Sequence, residues 1–381
     1  MKSILGIGNA LTDILAVLPD DDLLVKYHLP KGSMQHVDEA TGDKIWQVLK
    51  RMGVQYVPGG SAANTIAGAS IFGMKSGFIG KVGDDELGSL FKTGQENIGI
   101  KPMLLKGTAS SGRAMVFVTA PNAERTFAVY LGAALELGPE DLKPHFFEGY
   151  DYFHIEGYLV QNQALVRRAV ELAKQAGSII SIDMASYNVV ESNKAFLHDI
   201  IEDYVDIVFA NETEAKALTG KEPREALEEI ASICKIAVVK LGPDGSMVKC
   251  NAEATAAAND AIIAEAAAAN DVTTAEATAA NVAAANDVTT AEATAANDAT
   301  ANDAGFYKIE PYPANCIDAT GAGDIYAAGF LYAHSLDMPV EVCGKVGSII
   351  SSKVVEVIGP KVDIPRWKAA KAEIRQLMGQ E

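Results

Sequence analysis

The chain has 381 residues, 49% of them hydrophobic, and a formal net charge of −18. That length can form one large α/β domain or two smaller ones, and the apolar content excludes global disorder. The negative balance argues against nucleic acid or an anionic membrane as the main partner.

Residues 4–7 are an apolar run ending in Gly8-Asn9, the pattern of a buried parallel strand that leads into a loop carrying Asp13. The apolar N-terminal stretch is too short to span a membrane. Asn9, Thr12 and Asp13 do not suit a signal-peptide core, so a cytoplasmic protein is expected. Residues 15–17 and 34–37 read as edge strands, and 41–52 as a helix with Ile45, Val48, Leu49 and Met52 on one face. Pro58-Gly59-Gly60 makes a turn, and Ser61 is the expected N-cap of a small-residue helix. A strand over 77–82 and a helix over 85–97 follow.

Alternation over 113–119 and 125–130, split by Pro121-Asn122, predicts a hairpin. With the two earlier edge strands it forms a small sheet, from about 13–37 and 111–131, apart from the main one. Strands at 152–155, 179–183, 207–210 and 237–241 then alternate with helices at 163–175, 195–204, 212–218 and 223–233. This order predicts an α/β fold, a parallel sheet with helices on both faces. Ligands bind such sheets at the carboxyl ends of the strands, here the loops after Ile7, Asp183, Ala210, Leu241 and Ile317.

Residues 251–304 break the pattern. They hold nine acids and no Lys or Arg, so half of the −18 resides there. The stretch at 269–281 recurs at 285–297, and the composition cannot bury a core. It reads as a low-complexity acidic insertion in a hairpin loop between Lys249 and Phe306, without a role in catalysis. The four cysteines, Cys234, Cys250, Cys316 and Cys343, form no C-x-x-C pair and lie in or beside apolar runs, so buried thiols are expected.

Three further motifs carry chemistry. Asp318-Ala319-Thr320-Gly321-Ala322-Gly323-Asp324 joins an apparent strand end at Cys316-Ile317 to an apolar helical run. It is either a phosphate site at a helix start, with Asp324 as a base, or a plain acid-capped helix. Asn211 and Glu214 form a capping box, the reading their local sequence favours, or place a carboxylate where magnesium could be held. Gly242 and Gly245 make a turn that could lie close to a nucleotide. Gly6-x-Gly8 lacks the rest of a dinucleotide fingerprint, no phosphate-binding GxxxxGK[ST] loop exists, and the six histidines show no ligand spacing.

Taken together, Gly6-Ile7-Gly8-Asn9-Ala10-x-x-Asp13, Gly59-Gly60-Ser61-Ala62-Ala63-Asn64-Thr65, Asn211-x-x-Glu214 and the 318–324 motif resemble the PfkB/ribokinase family of carbohydrate and nucleoside kinases. The closest likeness is to its bacterial adenosine-kinase-like branch. The resemblance covers the chain outside 251–304. It implies one ribokinase-like three-layer α/β/α domain over residues 1–381, with a mainly parallel sheet and a small β-sheet lid. It implies ATP-dependent phosphorylation of a primary hydroxyl, on a nucleoside with adenosine favoured, or on a sugar such as ribose, fructose or a keto-deoxy sugar acid.

By the same resemblance Asp324 is the base and Gly321, Ala322 and Gly323 form the anion hole. Asp13, Gly59, Gly60 and Asn64 bind the acceptor, while Asn211, Gly242 and Gly245 lie at the nucleotide. Glu214 serves magnesium through water, and Asp318 and Thr320 lie where many members bind a monovalent cation, usually potassium. The resemblance is compatible with a monomer or a homodimer formed through the lid. Phe117, Phe127 and Tyr130 are candidates to stack on a base, with packing in the lid the competing role; Arg113 either reaches a phosphate or pairs with a surface acid.

Overall fold

Short β-branched and aliphatic runs, many of them followed by an amphipathic helix, build the main sheet. The computed structural model describes residues 1–119, 124–252, 254, 304–357 and 364–379. Most of the acidic insertion and the Pro121-Asn122 turn fall outside the described residues.

Strand β1 (Ser3–Ile7) lies inside the main sheet, parallel to β5 (Lys75–Val82) on one side and β9 (Tyr152–Glu156) on the other. Beyond β5 comes the edge strand β6 (Ile100–Lys106). Beyond β9 come β10 (Ile179–Asp183), β11 (Ile207–Asn211) and β12 (Ile236–Lys240), all parallel. Two antiparallel strands, β13 (Ser246–Cys250) and β14 (Phe306–Ile309), complete the nine. The sequence reading missed β6 because it holds Pro102. A proline without an N–H is tolerated there because β6 pairs on one side only.

The period of two divides the strand side chains between two cores. On one face Leu5, Phe153, Ile180 and Val208 pack against α5 (Gln163–Gln175), α7 (Lys194–Tyr204), α8 (Glu212–Thr219) and α9 (Pro223–Ile233). On the other, Ile4, Phe78, Phe209 and Val238 pack against α3 (Ser61–Ile71), α10 (Ala322–His334), α11 (Val340–Val355) and α12 (Ile364–Leu377). The result is the expected three-layer ribokinase-like arrangement.

Five strands form the second sheet, in the order β3 (Met34–His36), β8 (Glu124–Tyr130), β7 (Gly112–Thr119), β2 (Leu11–Leu18) and β4 (Gln55–Gly59). Ile14, Met115, Phe117 and Ala128 form its core with Ile45 and Leu49 of α2 (Glu39–Leu49). Arg113 is itself buried, and the surface acid expected to pair with it is the half-exposed Asp43. Its guanidinium lies over Trp46 and Tyr130 and reaches Asp43 at 2.6 Å.

Four local expectations need correction. Residues 15–17 belong to an interior strand, since β2 pairs with both β4 and β7. Gly60, not Ser61, is the N-cap of α3, and Ser61 turns its hydroxyl to another partner. Cys316-Ile317 is not a strand; the chain crosses there as coil, anchored by Ile317 and Asp318 N–H groups on the Val355 carbonyl. Cys316 is exposed, while Cys234, Cys250 and Cys343 are buried. No described helix is long and apolar enough to cross a membrane.

Candidate active site

The parallel register lines up the strand ends. Glu156 is the register partner of Asp183, and Asn211 that of Lys240. All four line one cavity of about 370 Å³ at the carboxyl edge of the sheet. Its other walls come from β2 (Asp13), the start of α3 (Gly60, Ser61, Asn64), the start of α10 (Thr320, Gly323, Asp324) and the small sheet (Met34, His36, Phe127).

Asp324 lies in the first turn of α10. Gly321 caps that helix in a left-handed conformation, and no side chain caps it, so the positive end of the helix faces the cavity edge. Two groups of α3 hold the carboxylate: Ser61 Oγ donates to Oδ1 at 2.7 Å and Asn64 Nδ2 to Oδ2 at 3.0 Å. Thr65 Oγ1 ties the Asp324 carbonyl to the same helix at 3.1 Å. Burial pushes the Asp324 carboxyl up to about 6, with Asp183 adding to the rise; the Asn64 and Ser61 hydrogen bonds and Lys240 work against it. That value suits a base operating near neutral pH.

Lys240 is the cation at the centre. Its Nζ donates to Asp183 Oδ2 at 2.6 Å, and a Cβ at Gly323 would lie 3.1 Å from that nitrogen. Burial works to lower its pKa, but the Asp183 and Glu214 carboxylates outweigh it and hold it above the ordinary lysine value. Glu214 is pushed up by burial and by Asp183. Both of its oxygens accept from Asn211, from the N–H at 2.8 Å and from Nδ2 at 2.7 Å, while Asn211 Oδ1 accepts the Glu214 N–H at 2.9 Å. The capping box is therefore real, and its acid also faces the cavity.

On the small-sheet side, the Asp13 carboxylate lies where a Cβ on Gly59 would be, so a side chain at that position would displace it. Burial pushes Asp13 up to about 7, opposed by Arg125 and reinforced by Asp324. Glu156 is pushed up to about 7 by burial, opposed by Asn9, which donates to Oε1 at 2.5 Å, and by the Ala62 N–H on Oε2 at 3.2 Å. Arg125 of β8 forms a buried ion pair with Asp318, whose other oxygen accepts the Thr320 N–H at 3.0 Å. This pair joins the small sheet to the loop before α10.

Of the residues picked out in the sequence, Asp13, Gly60, Asn64, Asn211, Glu214, Thr320, Gly323 and Asp324 share the cavity. Gly59, Asp318, Gly321 and Ala322 support it from behind. Gly242 and Gly245 do not line it. A Cβ on Gly242 would meet nothing, whereas one on Gly245 would strike the Ile309 carbonyl. Of the three aromatics, Phe127 alone lines the cavity; Phe117 is inside the small sheet's core and Tyr130 lies against Arg113. Sequence reasoning gave Ser61 only a capping role and assigned no catalytic or binding role to Asn9, Glu156, Asp183 or Lys240. Their signal was position, since Glu156, Asp183 and Lys240 each end a parallel strand.

The pfkB family carbohydrate kinase profile matches residues 37–265 and 251–367. The chain belongs to the pfkB family. It is thus a phosphotransferase that uses ATP on an alcohol group of a sugar or nucleoside. Among pfkB relatives of known structure, a probable sugar kinase from Rhizobium etli superposes with a TM-score of 0.75 at 27% identity, over 98% of this chain and 99% of that one. An adenosine kinase from Sinorhizobium meliloti gives 0.74 at 29%, over 98% and 99%. Adenosine kinase 2 of Arabidopsis thaliana is 24% identical over 93% of this chain and 94% of its own. Sugar-kinase and adenosine-kinase relatives of this pfkB chain are therefore about equally similar to it.

Proposed function

We propose that this pfkB kinase transfers the γ-phosphate of ATP to the primary hydroxyl of a nucleoside, adenosine first. One observation carries the reading. The Asp324 carboxylate, fixed by Ser61 and Asn64 at an uncapped helix start, opens into the cavity that also holds Asp13 and Lys240. Asp324 accepts the hydroxyl proton as the oxygen attacks the γ-phosphorus, and the bond to the β-phosphate oxygen breaks to release ADP. The backbone of Gly321, Ala322 and Gly323, with the Lys240 ammonium beside Gly323, meets the charge on the moving phosphoryl group. Asp13, Gly60 and Asn64 receive the acceptor's ring hydroxyls: a carboxylate and an amide can both accept and donate to a diol.

The nucleotide lies toward Asn211 and the open Gly242 turn, with Gly245 keeping that turn close to the end of β14. Magnesium, when bound, supplies charge neutralisation at the phosphates. Among the described residues no group of three His, Cys, Asp or Glu side chains could hold a metal. That fits an ion that keeps its waters and takes the phosphates as ligands, with Glu214, whose oxygens each accept one hydrogen bond from Asn211, reached through water. A monovalent cation near Asp318 and Thr320 would use backbone oxygens, since the Asp318 carboxylate is committed to Arg125.

A nucleoside is favoured over a free sugar by the far end of the cavity. Met34, Phe127, Leu131 and Leu135 give it an apolar wall that a sugar would leave uncovered and a base would fill. Phosphorylation of a free sugar remains the second reading, on the strength of the sugar-kinase relatives. A panel of nucleosides and sugars in a coupled ADP-release assay separates the two. Adenosine should turn over best; turnover of free sugars alone would overturn the nucleoside reading. Asp324→Asn should abolish turnover and leave acceptor binding largely intact, and activity surviving that change would refute the mechanism.

A further inference from the structure

The pfkB resemblance implies a monovalent cation at the loop carrying Asp318 and Thr320, and the described residues of that loop do not fit one. Both Asp318 oxygens are spent: Oδ2 pairs with Arg125 Nη2, and Oδ1 accepts the Thr320 N–H at 3.0 Å. The backbone oxygens are engaged as well. The Ala319 carbonyl accepts the Ala322 N–H at 3.2 Å and the Gly321 carbonyl the Ile325 N–H at 2.9 Å. The Val355 carbonyl takes both the Ile317 and Asp318 N–H groups, at 2.7 and 3.0 Å. A carbonyl can take a second partner, but a bound cation also needs negative charge to offset its lost water. Asp318 has none left to give. Its side chain is 3% exposed and that of Arg125 8%, so solvent screens the pair little and a second cation beside it would meet the repulsion of the guanidinium.

The positive charge at this loop therefore comes from the chain itself. Arg125, Phe127 and Val129 alternate along β8, and the last two line the acceptor cavity, so all three share the face that the small sheet turns to the site. The same guanidinium lowers the pKa of Asp13 on β2. Asp318 in turn holds the Thr320 N–H, one residue before the left-handed Gly321 that starts α10. We propose that the Arg125 guanidinium stands in for the monovalent cation: it balances Asp318, holds the turn that presents Gly321–Gly323, and leaves this kinase independent of potassium. Arg125 is a positioning residue, acting on the anion hole through Asp318. Because β8 carries it, the counter-charge arrives with the small sheet and not from solution. The inference rests on the reading of Gly321–Gly323 as the anion hole.

Two salts test it on the full chain, potassium chloride and tetramethylammonium chloride at equal ionic strength, the larger ion being too bulky for a compact cage of oxygens. ADP is counted directly by chromatography, with thermal melts beside it. The wild-type rate and melting temperature should be the same in both salts. Arg125→Met strips the counter-charge from a buried carboxylate. Its kcat should fall about tenfold or more in tetramethylammonium and recover at least about threefold in potassium, which should also raise its melting temperature. Arg125→Lys, which keeps a charge, should stay indifferent to the salt. So should Arg125→Met/Asp318→Asn, in which no charge is left to balance. A wild-type rate that rises more than about threefold with potassium would overturn the proposal. So would an Arg125→Met protein with the same melting temperature in both salts, or with the wild-type rate in tetramethylammonium. The melting shift needs no turnover, so the counter-charge stands or falls apart from the anion-hole reading.

Discussion

Lys240→Met removes the ammonium beside Gly323, in the proposed anion hole. At about 4 Å and an effective dielectric near 20, a unit charge interacts with a phosphoryl oxygen by about 4 kcal/mol. Only the part gained between ground state and transition state counts toward rate, and a single preorganised anion-stabilising group is typically worth about 3 kcal/mol, or 10²–10³ in kcat. The expected result is a fall in kcat of about that size with acceptor KM little changed. The substitution also leaves Asp183 buried without its cation, which costs stability on the order of 3–5 kcal/mol. Lys240→Met/Asp183→Asn controls for this: it should recover the melting temperature and not the turnover. The pH profile gives a third readout. Lys240 holds the Asp324 carboxyl down, so its loss should move the acidic limb of kcat upward from about 6. The assay is steady-state ADP release across pH beside thermal melts. A kcat within about threefold of wild type, or turnover restored with stability in the double variant, would refute a catalytic role for the lysine.

Three further outcomes follow from the same geometry. Ser61→Ala deletes the 2.7 Å hydrogen bond to Asp324, so the acidic limb should again move up from about 6, with the high-pH plateau reduced by about tenfold or less; a limb that stays put would separate Ser61 from the base. The carboxyls of Asp13 and Glu156 are raised to about 7 from 3.8 and 4.5, so their stabilising protonated forms are retained at low pH and lost as pH rises through about 7. The melting temperature of the ligand-free protein should therefore fall from pH 5 to 8, and Glu156→Gln should flatten the slope by up to about 3 kcal/mol; a melting temperature rising over that window would contradict the burial of these acids. Lys249 and Phe306 are direct cross-strand partners, and Cys250 N–H bonds the Gly305 carbonyl at 2.9 Å, so replacing residues 255–303 by a short turn should leave ADP release near wild type, and its total loss would give the insertion a catalytic role.

What the sequence made legible was the chemistry carried by contiguous residues. The 318–324 stretch encodes a helix start, its glycines and its acid within seven positions, and the Gly59-Gly60 loop does the same beside Asn64. Capping by Asn211 and Glu214 is equally local. Lys240, Asp183 and Glu156 were opaque for the opposite reason. Each is a charged residue ending a mostly apolar strand, and only the parallel register brings them from three separate strands to one edge. Ser61 was misread as a cap because a hydroxyl at a helix start has a local use, and nothing local shows that Asp324, 263 positions away, takes it instead. The edge strand β6 and the strand β4 were hidden by Pro102 and Pro58, residues that a period-two reading treats as breaks.

The division between the two sheets explains why the reaction is easier to read than the acceptor. Every group proposed to touch the moving phosphoryl lies on the main sheet's edge or at the start of α10, where backbone and strand-end geometry fix its position. The apolar wall that would distinguish a base from a sugar comes from β3, β8 and the segment after β8, which reach the cavity from the small sheet. That sheet is held over the site by its own core and by the Arg125–Asp318 pair. Its cavity-facing residues can change without disturbing Asp324, Lys240 or the glycines. Relatives named as a probable sugar kinase and as an adenosine kinase are of similar overall identity to this chain, as expected if the acceptor wall varies while the proposed phosphoryl-transfer centre does not. Specificity in this chain should accordingly be sought at Met34, Phe127 and Leu131 before any residue of the 318–324 motif.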